Sequence, residues 1–360
     1  MEFKVIHIVS SLAKINFGIW NAAIIGSDFL FKKYFVISEV WICSDPPVKN
    51  DLHTSLHEIY LGSKILSDSN WNVILEREEI RQEKSIVVTH GCWLLPTRYG
   101  RQLKKRGFTW IYVPHGMLEP WSMKQGLIKK YLYWYLLEKK WVRNADLVRA
   151  VSTIEQNNLQ KTLKRKVHCV ENGVVIPEKF YKSKKEETFL FLSRLHYKKG
   201  ILPLVQAWCL VMNDQANKNL VIAGPDEGEL KKIRQYLGGN IKYIGSVYGK
   251  DKAKLLAESH YFLLPSFSEG FPTSVLEAMS YGLIPLISKW CNFETVFTER
   301  LGYECNPDRK SITGVLEILN EKSFDTALSD RNRQYIKENF SQEKIGEKLY
   351  QLYKTVISGS

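Results

Sequence analysis

At about 150 residues per domain, a chain of 360 residues predicts two domains, each long enough to bury a large core. With 44% hydrophobic and 25% charged residues it excludes disordered, collagen-like and fibrous classes. The formal charge of +13 is uneven, because residues 98–149 hold 12 basic and 3 acidic residues, a +9 excess equal to that of the whole segment 1–171 with 25 against 16. A localised basic patch suits nucleic acid, anionic lipid headgroups or a phosphorylated substrate.

The chain opens with Lys4–Val9, which reads as a short strand. It lacks the basic start, long apolar centre and small-residue cleavage site of a signal peptide. No apolar run reaches the roughly 18–20 residues that a spanning helix needs, so a cytoplasmic protein is expected. Further strands are predicted at Phe35–Cys43, Ile86–His90, Thr109–Val113, Leu147–Val151 and Val167–Val170. In the second half they fall at Thr188–Leu192, Asn219–Ala223, Ile241–Ile244, Tyr261–Leu264 and Leu283–Ile287. Continuous apolar runs of four to six residues are the mark of strands buried on both faces, as in parallel sheets.

Amphipathic stretches predict helices between them, at Ile19–Lys33, Pro96–Arg106, Leu127–Val142, Ile201–Met212, Glu229–Leu237, Lys250–Glu258, Asp330–Asn339 and Gln342–Ile357. The alternation indicates an α/β fold with doubly wound sheets. Turn-rich Asn172–Pro177 and the charged run Lys182–Glu187 mark a break. The expected domains are 1–171 and 172–341, with 342–360 as a closing helix that returns toward the first domain.

The six cysteines are scattered and suggest reduced thiols rather than disulfides or a zinc site. His53 and His57 are spaced H-x-x-x-H, but Thr54 stands where a metalloprotease has Glu.

Ligands of open parallel sheets bind beyond the carboxyl ends of the strands. After Tyr261–Leu264 comes a Gly- and Pro-containing loop and then a helix: Glu269, Gly270, Phe271, Pro272, Thr273, Ser274, Val275, with Glu277 on the helix. Pro272 presets a helix start, and the free amides there form an anion site flanked by two carboxylates. After Thr188–Leu192 come Arg194 and Lys199, two cations that a diphosphate would explain. Ala223–Leu230 is another strand, tight loop and helix, without the G-x-G-x-x-G fingerprint, and Gly245–Asp251 is not a P-loop. His90 ends a strand, His196 and Tyr197 fill the loop between the two cations, and Trp93 and Trp121 either stack on sugars or pack.

The linked pattern resembles the family 4 retaining glycosyltransferases of the GT-B fold. It comprises Arg194…Lys199-Gly200, Gly224-Pro225, Tyr243-Ile244-Gly245, Pro265-Ser266, Glu269…Glu277, Gly282 and Pro285. In the first half Pro114–Trp121, Val151-Ser152 and Glu171–Val174 are similar to it too. The resemblance implies two doubly wound Rossmann-like domains facing across a cleft. It implies that Arg194 and Lys199 neutralise the diphosphate of a nucleotide-sugar donor and that Glu277 binds ribose hydroxyls. Glu269 and His115 contact the donor sugar, and the amides of Gly270–Val275 touch sugar and phosphate. It implies no metal and no other cofactor, and a glycan or lipid-linked acceptor. In place of the family's Gly-Gly loop this chain has Gly18 alone, between Phe17 and Trp20, which put bulk on the acceptor side.

Two other classes remain open. One is another GT-B activity, such as a nucleotide-sugar epimerase or a phosphorylase. The other is a basic nucleic-acid-binding protein, for which no helix-turn-helix, zinc or RNA-recognition signature is present. The stretch Lys124–Arg143 carries Leu127, Tyr131, Trp134 and Trp141 at helical spacing, with Leu132, Tyr135 and Leu136 beside them and six basic residues around them. It is either a core helix with a basic back or an interfacial surface. The second reading places the protein peripherally on the inner face of a bacterial inner membrane.

Overall fold

The computed structural model describes residues 3–13, 17–46, 54–120, 123, 127–178 and 186–357. The chain divides into two compact units, Met1–Gly173 together with Gln342–Ser360, and Val174–Ser341.

The first unit holds strands β1 (Lys4–Val9), β2 (Ile37–Ile42), β3 (His57–Tyr60), β4 (Ser85–His90), β5 (Thr109–Val113), β6 (Leu147–Ala150) and β7 (His168–Cys169). They lie in the order β3-β2-β1-β4-β5-β6-β7, and each pair is parallel. Every residue of β4, and all but the first of β1, is buried, as the unbroken apolar runs require. Helices α1 (Phe17–Ile24), α2 (Ser27–Tyr34), α3 (Asp68–Arg77) and α4 (Leu95–Lys105) follow in turn. The next rod, α5, is α-helical over Leu127–Tyr133, π-helical over Trp134–Glu138 and α-helical again over Lys139–Val142. Then comes α6 (Thr153–Leu163).

The sequence predicts one helix over Ile19–Lys33, but Gly26 breaks it with φ +88°. A Cβ there would lie 3.1 Å from the Cα of Gly346 on the closing helix. That glycine pair lets α2 and the closing helix approach closely. Tyr34 stacks on Tyr350 at 3.6 Å, and Lys33 pairs with Glu347 at 2.7 Å.

The second unit holds β8 (Glu187–Leu192), α7 (Ile201–Val211), β9 (Lys218–Ala223), α8 (Leu230–Ile233), β10 (Ile241–Tyr243), α9 (Gly249–Glu258), β11 (Tyr261–Leu264), α10 (Thr273–Ser280), β12 (Ile284–Ile287), α11 (Thr295–Thr298), β13 (Tyr303–Glu304), α12 (Arg309–Asn320) and α13 (Thr326–Phe340). Its strand order is β10-β9-β8-β11-β12-β13, again parallel. The closing helix of the chain, α14 (Gln342–Ile357), belongs to the first unit.

Each sheet winds outward, returns to lie beside its first strand and continues the other way. The reversals, between β1 and β4 and between β8 and β11, are the switch points where open α/β sheets bind ligands.

Candidate active site

At the switch point of the second unit, the loop after β8 meets the loop after β11. Lys199 Nζ donates to Glu269 Oε1 at 2.6 Å, and the Ser266 hydroxyl donates to the same oxygen at 2.6 Å. The Lys199 and Glu269 side chains are only 12% and 11% exposed. Burial alone would raise the Glu269 carboxyl, but the Lys199 charge and hydrogen bond, the Ser266 hydroxyl and the Lys198 charge hold it below its ordinary value. It is therefore an anion at neutral pH. Burial brings the neighbouring Lys198 down to about 8, against the pull of Glu269 and with the push of Lys199 and Arg194.

Backbone hydrogen bonds stitch the strand ends into one rim. The Phe267 amide donates to the Lys198 carbonyl at 2.8 Å, joining the β8 and β11 loops. The Leu195 amide donates to Pro225 O, and the Glu227 amide to Leu195 O, joining the β8 and β9 loops. The Glu269 amide donates to Trp290 O at 2.9 Å, and the Asn292 side chain donates to the carbonyls of Glu269 and Gly270. Two glycines make this rim possible. A Cβ on Gly200, at φ +69°, would sit 2.1 Å from Pro265 O, and one on Gly224, at φ +142°, 1.9 Å from Ser193 O.

Around the central pair the other expected residues are distributed as follows. Arg194 turns to Glu227 in the β9 loop, with Nη1 2.8 Å from Oε1 and 3.0 Å from Oε2. Glu277 on α10 pairs with Lys252 of α9 at 2.6 Å. Helix α10 starts after Pro272 with no side-chain cap. Val275 and Pro272 are buried, and Phe271 packs on Phe293 and Phe340. Those three side chains serve the core, and only their backbone is available to a ligand. Thr273, Ser274 and Gly270 are partly exposed.

The sequence reading missed Glu227, Lys252, Ser266 and Asn292 as partners of this site. Ser266 and Glu227 lie inside the loops it singled out, so position at the strand ends was the usable signal. His196 caps the short turn over Tyr197–Lys199 by accepting the Lys198 amide, a structural role.

In the first unit His115 follows β5 with φ +53° and is partly buried. Its Nε2 lies 2.9 Å from His90 Nδ1, and His90 Nε2 lies 3.1 Å from His7 Nδ1. Gly18 stands exposed in the first turn of α1, and nothing lies within 4 Å of where its Cβ would be, so the local packing does not demand glycine. Trp20 is 4% exposed and sits in a cluster with Val9, Leu12, Ala23, Val40 and Ile42. Its bulk fills the core, contrary to the acceptor-side placement expected from sequence. Phe17 carries no described side chain, and Trp121 lies outside the described residues.

Trp93 packs edge-on against Tyr133 and Trp134, and its amide donates to buried Glu138. His57 pairs with Glu78, while His53 lies outside the described residues. Among the described residues no group of three His, Cys, Asp or Glu could hold a metal ion, and the six cysteines are free thiols.

Residues 175–343 match the family model described as Glycosyl transferases group 1. Among curated proteins, the chain is 32% identical over 190 residues to the uncharacterized glycosyltransferase MJ1059 of Methanocaldococcus jannaschii, covering 47% of this chain and 45% of that one. It is 24% identical over 256 residues to the capsular polysaccharide biosynthesis glycosyltransferase CapM of Staphylococcus aureus, covering 64% and 67%. The chain spans about half the length of several curated relatives that it matches. The crystal structure of Anabaena HepE in complex with UDP and glucose superposes with a TM-score of 0.75 at 15% identity, over 98% of this chain and all of that one. The chain therefore has the GT-B fold that its motifs imply, and its residues 175–343 are the part that matches Glycosyl transferases group 1.

Proposed function

We propose that the protein is a retaining, metal-independent glycosyltransferase. It moves a sugar from a nucleoside-diphosphate donor to a lipid-linked or other glycan acceptor in cell-surface polysaccharide synthesis. The observation that carries this reading is the buried Lys199–Glu269 pair at the β8/β11 switch point. It sets a fixed cation and a fixed anion side by side, which is what a departing diphosphate and a sugar gaining positive charge require. HepE, of the same fold, was solved with UDP and glucose, and CapM belongs to capsular polysaccharide biosynthesis.

In the proposed reaction the bond from the anomeric carbon to the diphosphate breaks, and its electron pair leaves with the phosphate. The acceptor oxygen bonds to the same face, and its proton passes to the departing diphosphate oxygen. Lys199, Arg194 and the amides at the start of α10 stabilise the leaving charge. These groups supply the positive charge that a divalent ion would otherwise bring, so no metal is assigned. Glu269 offsets charge on the sugar, Glu277 accepts from ribose hydroxyls, and His115 meets the donor sugar.

A panel of nucleotide-sugars read by thermal shift, with EDTA present, should yield one stabilising donor. Incubation with that donor and lipid-linked glycans should give a product one sugar heavier, with the anomeric configuration kept. An epimerised donor without an acceptor product would reject transfer.

Rod α5 supports a membrane-held acceptor. Trp134, Glu138 and Val142 point inward and are buried. Tyr131, Leu132, Tyr135, Leu136 and Leu137 are all exposed, Leu132, Tyr135 and Leu136 more than half. The π turn holds more residues per turn than an α-helix, so Trp134 and Glu138, four apart, share the inward face while Leu137, which α spacing would turn toward it, faces out with Tyr135 and Leu136. Lys139 lies over the Tyr135 ring at 4.8 Å, and Lys140 and Arg143 are exposed nearby. Exposed aromatic and aliphatic side chains rimmed by cations suit an anionic lipid surface. No helix among the described residues is long and apolar enough to cross a membrane.

We assign the protein to the cytoplasmic face of a bacterial inner membrane, held peripherally. Vesicles of phosphatidylglycerol should sediment it at low salt. Changing Lys139, Lys140 and Arg143 to Glu should weaken binding more than tenfold, at about 1 kcal/mol per cation. Binding unaffected by that change, or absent at low salt, sinks the assignment and leaves the transferase reading intact.

A further inference from the structure

Three histidines cross the switch point of the first unit in a line. His7 lies on β1, His90 closes β4 and His115 stands two residues past β5. The register pairs His7 with Val88 and His90 with Val113. Each histidine is therefore two residues beyond the partner of the one before it; the period of two puts His7 and His90 on one face of the sheet, and the turn after β5 brings the His115 ring to the same line. The spacings are 3.1 Å from His7 Nδ1 to His90 Nε2 and 2.9 Å from His90 Nδ1 to His115 Nε2. The rings run head to tail, and each uses Nδ1 toward the next one's Nε2.

The rings are neutral. Burial, with Arg149 beside them, lowers His7 and His115 to about 3, and burial with the neighbouring His and Arg charges lowers His90 well below its ordinary value. Arg149 is itself buried and tied to the carbonyls of Val170 and Glu171. It stays cationic and is fixed in place.

A neutral imidazole has one N–H and one acceptor nitrogen. Only two proton arrangements then make both hydrogen bonds. In one, every ring carries its proton on Nδ1, and His115 presents an Nδ1–H donor at the chain's end. In the other, every proton is on Nε2, and His115 presents a bare Nδ1 acceptor. Any mixture breaks a bond or sets two lone pairs, or two N–H groups, against each other.

We infer that His7 and His90 are positioning residues that couple the tautomer of His115 to their own through this imidazole chain. His115 thereby offers its ligand one hydrogen-bonding polarity at a time, and the three rings change it together. This rests on the proposed contact between His115 and the donor sugar.

The chain can be tested without that contact. Long-range proton–nitrogen spectra of histidine-labelled, ligand-free protein should show His7, His90 and His115 neutral from pH 6 to 8. All three should have the same tautomer. An imidazolium at pH 6, or unlike tautomers among the three, overturns the chain. His7→Leu keeps bulk but removes the end hydrogen bond, whereas His7→Asn keeps an amide near the Nδ1 position. His7→Leu should shift the tautomer populations of His90 and His115 together, since their own bond remains, and lower kcat about tenfold or more with little change in donor KM, the scale on which orienting partners act. His7→Asn should recover most of that loss. An unchanged kcat in His7→Leu, in protein that keeps its histidine spectra otherwise, overturns the positioning role. Uniform tautomers in a protein that transfers no sugar would reject the proposed function and leave the chain standing.

Discussion

Replacing Lys199 by Ala, or Glu269 by Ala, is expected to lower turnover at least about a hundredfold, the scale of removing one preorganised charge contact. The two side chains form one unit: Lys199 Nζ and Ser266 Oγ both donate to Glu269 Oε1 at 2.6 Å. Without Lys199, the leaving diphosphate loses its buried cation and Glu269 loses the charge that keeps it ionised. Without Glu269, Lys199 and the half-buried Lys198 confront each other across a loop that the Phe267 amide ties to the Lys198 carbonyl. The double replacement should therefore cost little more than the worse single one, because groups that act as a unit are non-additive. Rates at saturating donor decide this. Near-normal turnover in either single variant removes that residue from the mechanism, and simple multiplication of the two losses would mean that they act separately.

This pair was legible in the sequence because strand ends are. Buried parallel strands announce themselves as unbroken apolar runs, and β4, β11 and β12 are buried throughout. Loops that follow such runs sit where ligands bind, so Lys199 and Glu269 could be picked out although 70 residues separate them.

Of the elements that escaped, three have weak patterns for physical reasons, whereas α3 and the amphipathic α12, with Ile312, Leu316 and Leu319 on its inward face, carried a readable pattern that was passed over. Strand β3 is a four-residue edge with only Ile59 buried. Helix α6 reads as polar because one of its three inward positions, 155, 159 and 163, is a glutamate. Strand β13 is two residues long. The break at Gly26 was hidden because it depends on Gly346, 320 positions away in the chain. The histidine line was likewise invisible, since it exists only once parallel register sets His7, His90 and His115 side by side.

Buried Glu138 leads to the last expected result, on stability rather than rate. The sequence shows it as one of three acids in a basic stretch, and the π turn of α5 carries it into the core. There its oxygens accept from the Trp93 amide at 3.1 and 3.0 Å and from the Thr97 hydroxyl at 2.8 Å, with the Tyr112 hydroxyl at 3.4 Å. Burial raises its carboxyl to about 7, and these hydrogen bonds and Arg98 only partly offset that. An acid raised on folding keeps a proton that the unfolded chain has released, between pH 4.5 and about 7. Its contribution to stability therefore falls as pH rises through that window and levels off above it.

Glu155, also raised to about 7 by burial, acts in the same direction. The histidines His7, His90 and His115 act oppositely, because below pH 6.5 the unfolded chain takes up protons that they refuse. Comparing Glu138→Gln with the parent at each pH cancels these other groups. The amide can accept from Trp93 and donate to the Thr97 and Tyr112 hydroxyls, which turn to suit it. The stability gained by Glu138→Gln should be smallest at pH 5, about a quarter of its ceiling, grow through pH 6 and 7 and level off at pH 8. A pKa raised from 4.5 to about 7 sets the ceiling of that gain on the order of 3 kcal/mol. Urea unfolding of both proteins, followed by tryptophan fluorescence at those four pH values, measures the difference. A difference that stays flat with pH would mean that Glu138 is already ionised in the folded protein at pH 5, and a difference that shrinks toward pH 8 would reverse the sign argued from its burial.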